Sequence, residues 1–178
     1  MEKRPNAVKF KDKLYTLIGP QLKAGDKAPD FTCVVNVLEL ATLAKTPAKP
    51  RLFSVVPSLD TPVCSMQTKK FDEALGAYKD KLACYTVSLD LPFAQKGFCT
   101  ENHITNMVTL SDVHNQSFGK NWGVLIEPGE GLPFALLSRA VFVVDGGGKI
   151  TYAEYVPDVP QHPNYENALA AVRTVVGG

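Results

Sequence analysis

The sequence predicts an α/β protein with a mixed central sheet flanked by helices, and three observations carry that prediction. Short apolar runs alternate with stretches of helical periodicity along most of the chain. Two of those runs, RLFSVV (51–56) and KLACYTVSL (81–89), are strand-like and nearly continuous in apolar character, as strands covered on both faces require. The segment RAVFVVDGGGKITYAEYV (139–156) places two β-rich runs around a triple glycine and reads as a hairpin. At 178 residues the chain is long enough for one well-buried domain and short for two, so residues 1–178 are read as a single domain.

Taken in order, AVKFKDKLYTLIG (7–19) alternates around a short polar turn and predicts an N-terminal β-hairpin. GDKAP (25–29) is a turn before a strand near DFTCVVNV, and TPAKP (46–50) introduces the strand at 51–56. Val63, Gln67, Phe71, Ala74, Leu75 and Tyr78 then recur at helical spacing. After the strand at 81–89, PFAQKGFCTENH (92–103) predicts a short helix started by Pro92. MVTLSD (107–112) is a strand, HNQSFGKNWG (114–123) a helix, and EPGEGLP (127–133) a surface loop. The hairpin at 139–156 and the helix NYENALAAVRTVV (164–176) close the chain. This order fits an elaborated thioredoxin-like fold.

Composition narrows the function classes. Hydrophobic residues make up 45% of the chain and charged residues 21%, and the formal net charge is +1. Such a balance gives no reason to expect nucleic acid or an anionic membrane surface as a partner. The basic residues near the start (Lys3, Arg4, Lys9, Lys11, Lys13) read as a solvated strand face. The N-terminus has no continuous apolar core of the secretory kind, and no segment approaches membrane-spanning length, which predicts a cytoplasmic protein. Cysteines occur at 33, 64, 84 and 99 without a CxxC pair, and His103, His114 and His162 do not cluster with them. That spacing predicts no structural zinc site. In a reducing compartment the thiols are then either inert core groups or redox-active ones.

The stretch PSLDTPVC (57–64) separates those two cases. Thr61 stands at an N-cap, Pro62 fits the first helical position, and Cys64 falls at the third. Backbone N–H groups there lack intrahelical partners, and together with the positive end of the helix dipole they stabilise a thiolate. From the cap, the Thr61 hydroxyl can reach the amide of residue 64. Asp60 would oppose a thiolate if it turned inward, so it is expected to face solvent. The bland alternative is a buried inert thiol at an ordinary helix start. Cys33 and Cys84, inside apolar strand candidates, fit that description better.

The spacing P-x-x-x-T-x-x-C, met here as Pro57, Thr61 and Cys64, resembles the active-site signature of peroxiredoxins. PSLDTPVCSMQTKKF and SLDLPFAQKGFC look like the thiol peroxidase subgroup, and SRAVFVVD supplies Arg139 at the matching place. The likeness runs from about residue 7 to the C-terminus. It implies that Cys64 is the peroxidatic cysteine, attacking hydrogen peroxide or a small organic hydroperoxide to give a sulfenic acid. Pro57 would shield the thiol, the Thr61 hydroxyl would hydrogen-bond the peroxide, and Arg139 would contact both sulfur and peroxide. Cys99 resembles the resolving cysteine of the atypical two-cysteine mechanism, forming an intramolecular Cys64–Cys99 disulfide that a thioredoxin-type dithiol protein reduces. Both cysteine-bearing segments would have to unwind in part for the two sulfurs to meet. The mechanism needs no metal, flavin or haem cofactor. The resemblance also implies a homodimer, with Phe93, Phe98 and Trp122 as either contacts or core residues. The peroxide pocket would have an apolar rim of Leu59, Val63 and Phe93.

Ionisation alone does not make a fast peroxidase. A thiol with an ordinary pKa is ~3% thiolate at neutral pH. Full ionisation gains at most ~30-fold, or ~2 kcal/mol of barrier, and a less basic thiolate is also a weaker nucleophile. The rest must come from holding the peroxide in line and stabilising charge as the O–O bond stretches. Two other functions stay open on sequence alone. A thiol-disulfide oxidoreductase is disfavoured by the missing CxxC, and a non-enzymatic redox sensor would use the same two cysteines.

Overall fold

The structure is a computed structural model and describes residues 1–177. Its main sheet has seven strands in the order β11-β10-β5-β6-β7-β3-β4. The centre is parallel: β5 (Arg51–Val55), β6 (Ala83–Ser88) and β7 (Val108–Ser111) run together, joined by α1 (Pro62–Leu75) and α2 (Pro92–Glu101). The flanks are antiparallel, with the hairpin β10 (Ala140–Val144) and β11 (Ile150–Tyr155) on one side. On the other side stand β3 (Thr32–Val35) and β4 (Glu39–Thr42). Every residue of β5 and β10 is buried, so the apolar runs behave as strands covered on both faces.

The two faces carry separate cores. Leu52, Val141 and Val143 pack with Phe71 and Leu75 of α1 and with Ala168 and Val172 of α4 (Tyr165–Val175). Phe53, Val55 and Phe142 point the other way, into an aromatic cluster with Phe118 of α3 (Ser117–Asn121) and Trp122. Trp122 is fully buried in that cluster, so of the two roles expected for it the core one holds.

A second sheet has the order β1-β2-β8-β9. The hairpin β1 (Lys3–Phe10) and β2 (Lys13–Ile18) starts earlier than the alternation suggests, and β8 (Leu125–Ile126) and β9 (Leu136–Leu137) extend it. Its turn residues Lys11 and Asp12 both have positive φ, 48° and 64°, the twist that a two-residue hairpin turn requires. The basic N-terminus is not uniformly solvated. Arg4 donates to the carbonyls of Gly19 and Gly123 and lies 5.0 Å from the Tyr155 ring centroid. The strands β4, β8 and β9 have no counterpart in the sequence pattern because each is only two to four residues long. The helix expected over 114–123 shrinks to Ser117–Asn121, since Gln116 takes a left-handed φ of 58°. Among the described residues, no helix is long and apolar enough to cross a membrane.

Candidate active site

Cys64 lies in the first turn of α1, and its side chain belongs to the buried stripe Cys64, Gln67, Thr68, Phe71, Asp72 and Leu75. It is fully buried and packs with Val56, Leu59 and, from α2, Phe98. The extended φ/ψ of Thr61 and the proline at the helix start fit the expected capping position. The hydroxyl, however, does not cap. It donates to the Ser58 carbonyl at 2.9 Å, closing the turn whose backbone bond is Thr61 N–H to the same carbonyl. A tight turn before the helix thus competes successfully for the hydroxyl. Asp60 is exposed, as the sequence suggests.

Arg139 stands immediately before β10 and is 1% exposed. Nη1 donates to the Cys64 sulfur at 3.4 Å and to Gln67 Oε1 at 3.0 Å. Nε and Nη2 both donate to the Val159 carbonyl, at 3.1 and 2.7 Å. Gln67 is itself held by a 2.7 Å bond from Nε2 to Ser54 Oγ in β5. Val159 is fixed in turn by its N–H bond to the Lys9 carbonyl in the N-terminal hairpin. Among the described residues no carboxylate lies within 4.0 Å of this guanidinium. A buried cation without a carboxylate is costly unless other groups meet its charge. Here those groups are a carbonyl, an amide and a sulfur.

Pro57, Thr61 and Arg139 line one cavity of about 710 Å³, walled otherwise by apolar groups such as Val63, Leu132, Phe134 and Leu136. Of the rim residues expected from sequence, Val63 is in that wall. Leu59 instead packs on Cys64, and Phe93 is 67% exposed on α2, away from the lining. The loop carrying Pro57 is tied to the end of β6 by Asp90, which accepts from Ser58 Oγ, the Leu59 amide and Ser88 Oγ at 2.7–2.8 Å. Gln67 and Asp90 are the site residues that sequence reasoning missed as such.

All four cysteines are free thiols. Cys99 is half-buried on α2 and lines a separate groove of about 350 Å³ with Val34, Lys96 and Met107. Burial raises its pKa, with a further push from Asp72. Burial also pushes the Cys84 thiol up to about 12, and that of Cys33 higher still, where Asp112 adds to the effect. Both thiols lie in the core, where burial disfavours the thiolate. Among the described residues no group of His, Cys, Asp and Glu side chains could hold a metal ion, and His103 and His114 are exposed.

The chain is similar to known proteins over most of its length. Residues 23–169 match the family model described as Redoxin. The chain is 44% identical over 169 residues to the thiol peroxidase of Bacillus subtilis, covering 95% of this chain and 98% of that one. The crystal structure of a peroxiredoxin-like protein from Aquifex aeolicus superposes with a TM-score of 0.87 at 38% identity, covering 96% and 97% of the two chains. A thiol peroxidase from Chromobacterium violaceum shares the fold, with a TM-score of 0.83 at 21% identity over 94% and 95%. The chain belongs to the Redoxin family and, within it, to the thiol peroxidase branch of the peroxiredoxins.

Proposed function

We propose that this chain reduces hydrogen peroxide and organic hydroperoxides through Cys64, with Cys99 as the resolving cysteine. The observation that carries the reading is the buried Arg139, whose one ionisable hydrogen-bond partner among the described residues is the Cys64 sulfur. The guanidinium donates directly to that sulfur. The same group is placed to stabilise the oxygen that leaves as the O–O bond breaks. The Cys64 thiolate attacks the terminal peroxide oxygen, a proton goes to the departing oxygen, and water or an alcohol leaves. Sulfur is oxidised to a sulfenic acid. Pro57 walls the site, and the Thr61 hydroxyl can turn from Ser58 to the bound peroxide. The apolar walls of the cavity suit the organic part of a hydroperoxide.

The Cys99 thiol then displaces hydroxide from the sulfenic sulfur, releasing water and forming the disulfide. Phe98 packs against the Cys64 cluster, so α2 must loosen before Cys99 can take its place. Only Gln95 of α2 is buried, which makes its unwinding cheap. Asp72 supports a short excursion, because its Oδ1 accepts from the amides of Thr105, Asn106 and Met107 at 3.1, 2.6 and 3.1 Å. From Cys99 to that clamp an extended chain spans roughly 20 Å, while Cys64 and Asp72 are about 12 Å apart along α1. Cys99 can therefore reach Cys64 with the clamp closed. Exposure during unwinding also removes the burial that holds its thiol protonated.

A thioredoxin-type dithiol protein in the cytoplasm completes the cycle, and no resident cofactor takes part. The proposal treats the chain as one domain and includes a homodimer, for which exposed Phe93 is a candidate contact. The test is peroxide consumption with a thioredoxin reducing system. Cys64→Ser is expected to be inactive, and Cys99→Ser to stop after one turnover unless a small thiol is supplied. Wild-type activity in Cys64→Ser would overturn the assignment. A wild type that forms the disulfide without turning over peroxide would favour a redox sensor instead.

A further inference from the structure

Outside the Cys64 site, a second arginine lies mostly within the fold without a matching charge, its terminal nitrogens open to an adjoining cavity. Arg51 opens β5, at the opposite end of that strand from the loop leading to Cys64, and is 6% exposed. Its Nε donates to Thr46 Oγ1 at 2.7 Å. Among the described residues neither terminal nitrogen has a protein acceptor, and no carboxylate lies within 4.0 Å. Burial lowers its pKa from the ordinary range, and Tyr85 opposes that shift.

Arg51 lines an open cavity of about 660 Å³ together with Lys27, Asp30, Leu43 and the glycine turn 146–148. Lys27 sits opposite Lys149 in an isolated antiparallel bridge, an arrangement that like charges disfavour. Neither lysine has a carboxylate within salt-bridge distance among the described residues. Asp30 is the one carboxylate in the wall, and its Oδ1 is already engaged by the amides of Phe31 and Leu43, both at 2.9 Å. The amides of Gly147 and Gly148 are taken by Asp145, so the charged donors in the wall are the side chains of Arg51 and Lys27, with Lys149 beside Lys27 across the bridge. Gly148 has a φ of +87° and nothing within 4 Å of where a Cβ would stand, which leaves the mouth open.

We propose that this cavity binds a phosphate-type oxyanion, with the terminal nitrogens of Arg51 as its bidentate partner and Lys27 and Lys149 as flanking charges. A guanidinium fork matches two oxygens of such an anion. Arg51 and Lys27 in the wall, with Lys149 beside them, outnumber the one carboxylate there, so the cavity favours an anion. The cavity is larger than orthophosphate, and Leu43 gives it an apolar wall, so the ligand is a phosphomonoester whose organic part lies along that wall. The site is independent of the peroxide chemistry.

The test is calorimetric titration of the full chain with inorganic phosphate and with AMP. Saturable binding of both is expected, tighter for AMP; equal affinity would assign the site to free phosphate. Arg51→Met should weaken binding by about tenfold or more. Should that variant fold poorly, the exposed pair Lys27→Ala with Lys149→Ala provides the second arm, weakening binding several-fold and flattening its salt dependence. No saturable binding at millimolar concentrations of either probe would overturn the proposal. So would affinity unchanged in the lysine variant and in a folded Arg51→Met.

Discussion

Arg139 makes four hydrogen bonds from one planar group, and that geometry decides what substitutions at the site do. Lysine keeps the charge but cannot serve Val159, Gln67 and the sulfur together. Arg139→Lys should therefore slow the reaction of Cys64 with peroxide about 100-fold or more, measured by stopped-flow fluorescence, with the circular dichroism spectrum intact. Near-wild-type rates would show that only charge matters there. Gln67→Leu removes one of the guanidinium's anchors and should cost about tenfold in the same step, leaving the disulfide step unchanged. Cys64, Thr61 and Pro62 were legible because helix starts have a local grammar. Arg139 was not legible locally, since nothing around a strand-edge arginine says that it turns inward toward residue 64; the family likeness supplied it. Gln67 did leave a trace, being a glutamine inside an otherwise apolar helical stripe. Its meaning required the partner 72 residues away.

Helix α2 is the element on which turnover depends. Its proline start and helical length could be read from PFAQKGFC, but its shallow seating could not, because exposure depends on what the sheet leaves uncovered. The consequence is a local one. Hydrogen exchange of the disulfide form should show lost protection from Phe98 to His103, while the amides of Thr105, Asn106 and Met107 stay protected by Asp72. Loss of protection across both segments would contradict the tether. In Asp72→Asn the boundary should move, with exchange spreading into 105–107. Phe98→Ala should speed disulfide formation, because the contact holding α2 against the Cys64 cluster is gone. Quenched samples resolved by mass would time that step.

Across the whole molecule, the order of elements and the mixed central sheet follow from apolar runs, helix periodicity and the GGG turn, while the strand order and the two cores emerge only in the fold. Only half of the second sheet was legible, its N-terminal hairpin; β8 and β9, two residues each, leave no periodicity and find their partners only in β2 and in each other. One buried group ties α3 to the main sheet: Asp112 accepts from Cys33 of β3 and from the amides of Phe118 and Gly119. Burial pushes its carboxyl up to about 6 from an ordinary value of 3.8. The folded state thus binds this proton more tightly than the unfolded chain does. Its contribution to stability is complete below about pH 4 and is lost as pH rises through about 6, by up to about 3 kcal/mol. Urea unfolding of wild type and Asp112→Asn from pH 4 to 7 should show the wild type's advantage shrinking with pH, and a constant difference would contradict it. The central claim is that peroxide oxidises one buried thiol, which then pairs with one distant partner. It is tested most directly by mixing the reduced protein with one equivalent of hydrogen peroxide and mapping its cysteines by mass spectrometry. The account predicts a single Cys64–Cys99 disulfide with Cys33 and Cys84 still reduced. Oxidation first appearing at Cys33 or Cys84, or a disulfide that excludes Cys64, would contradict it.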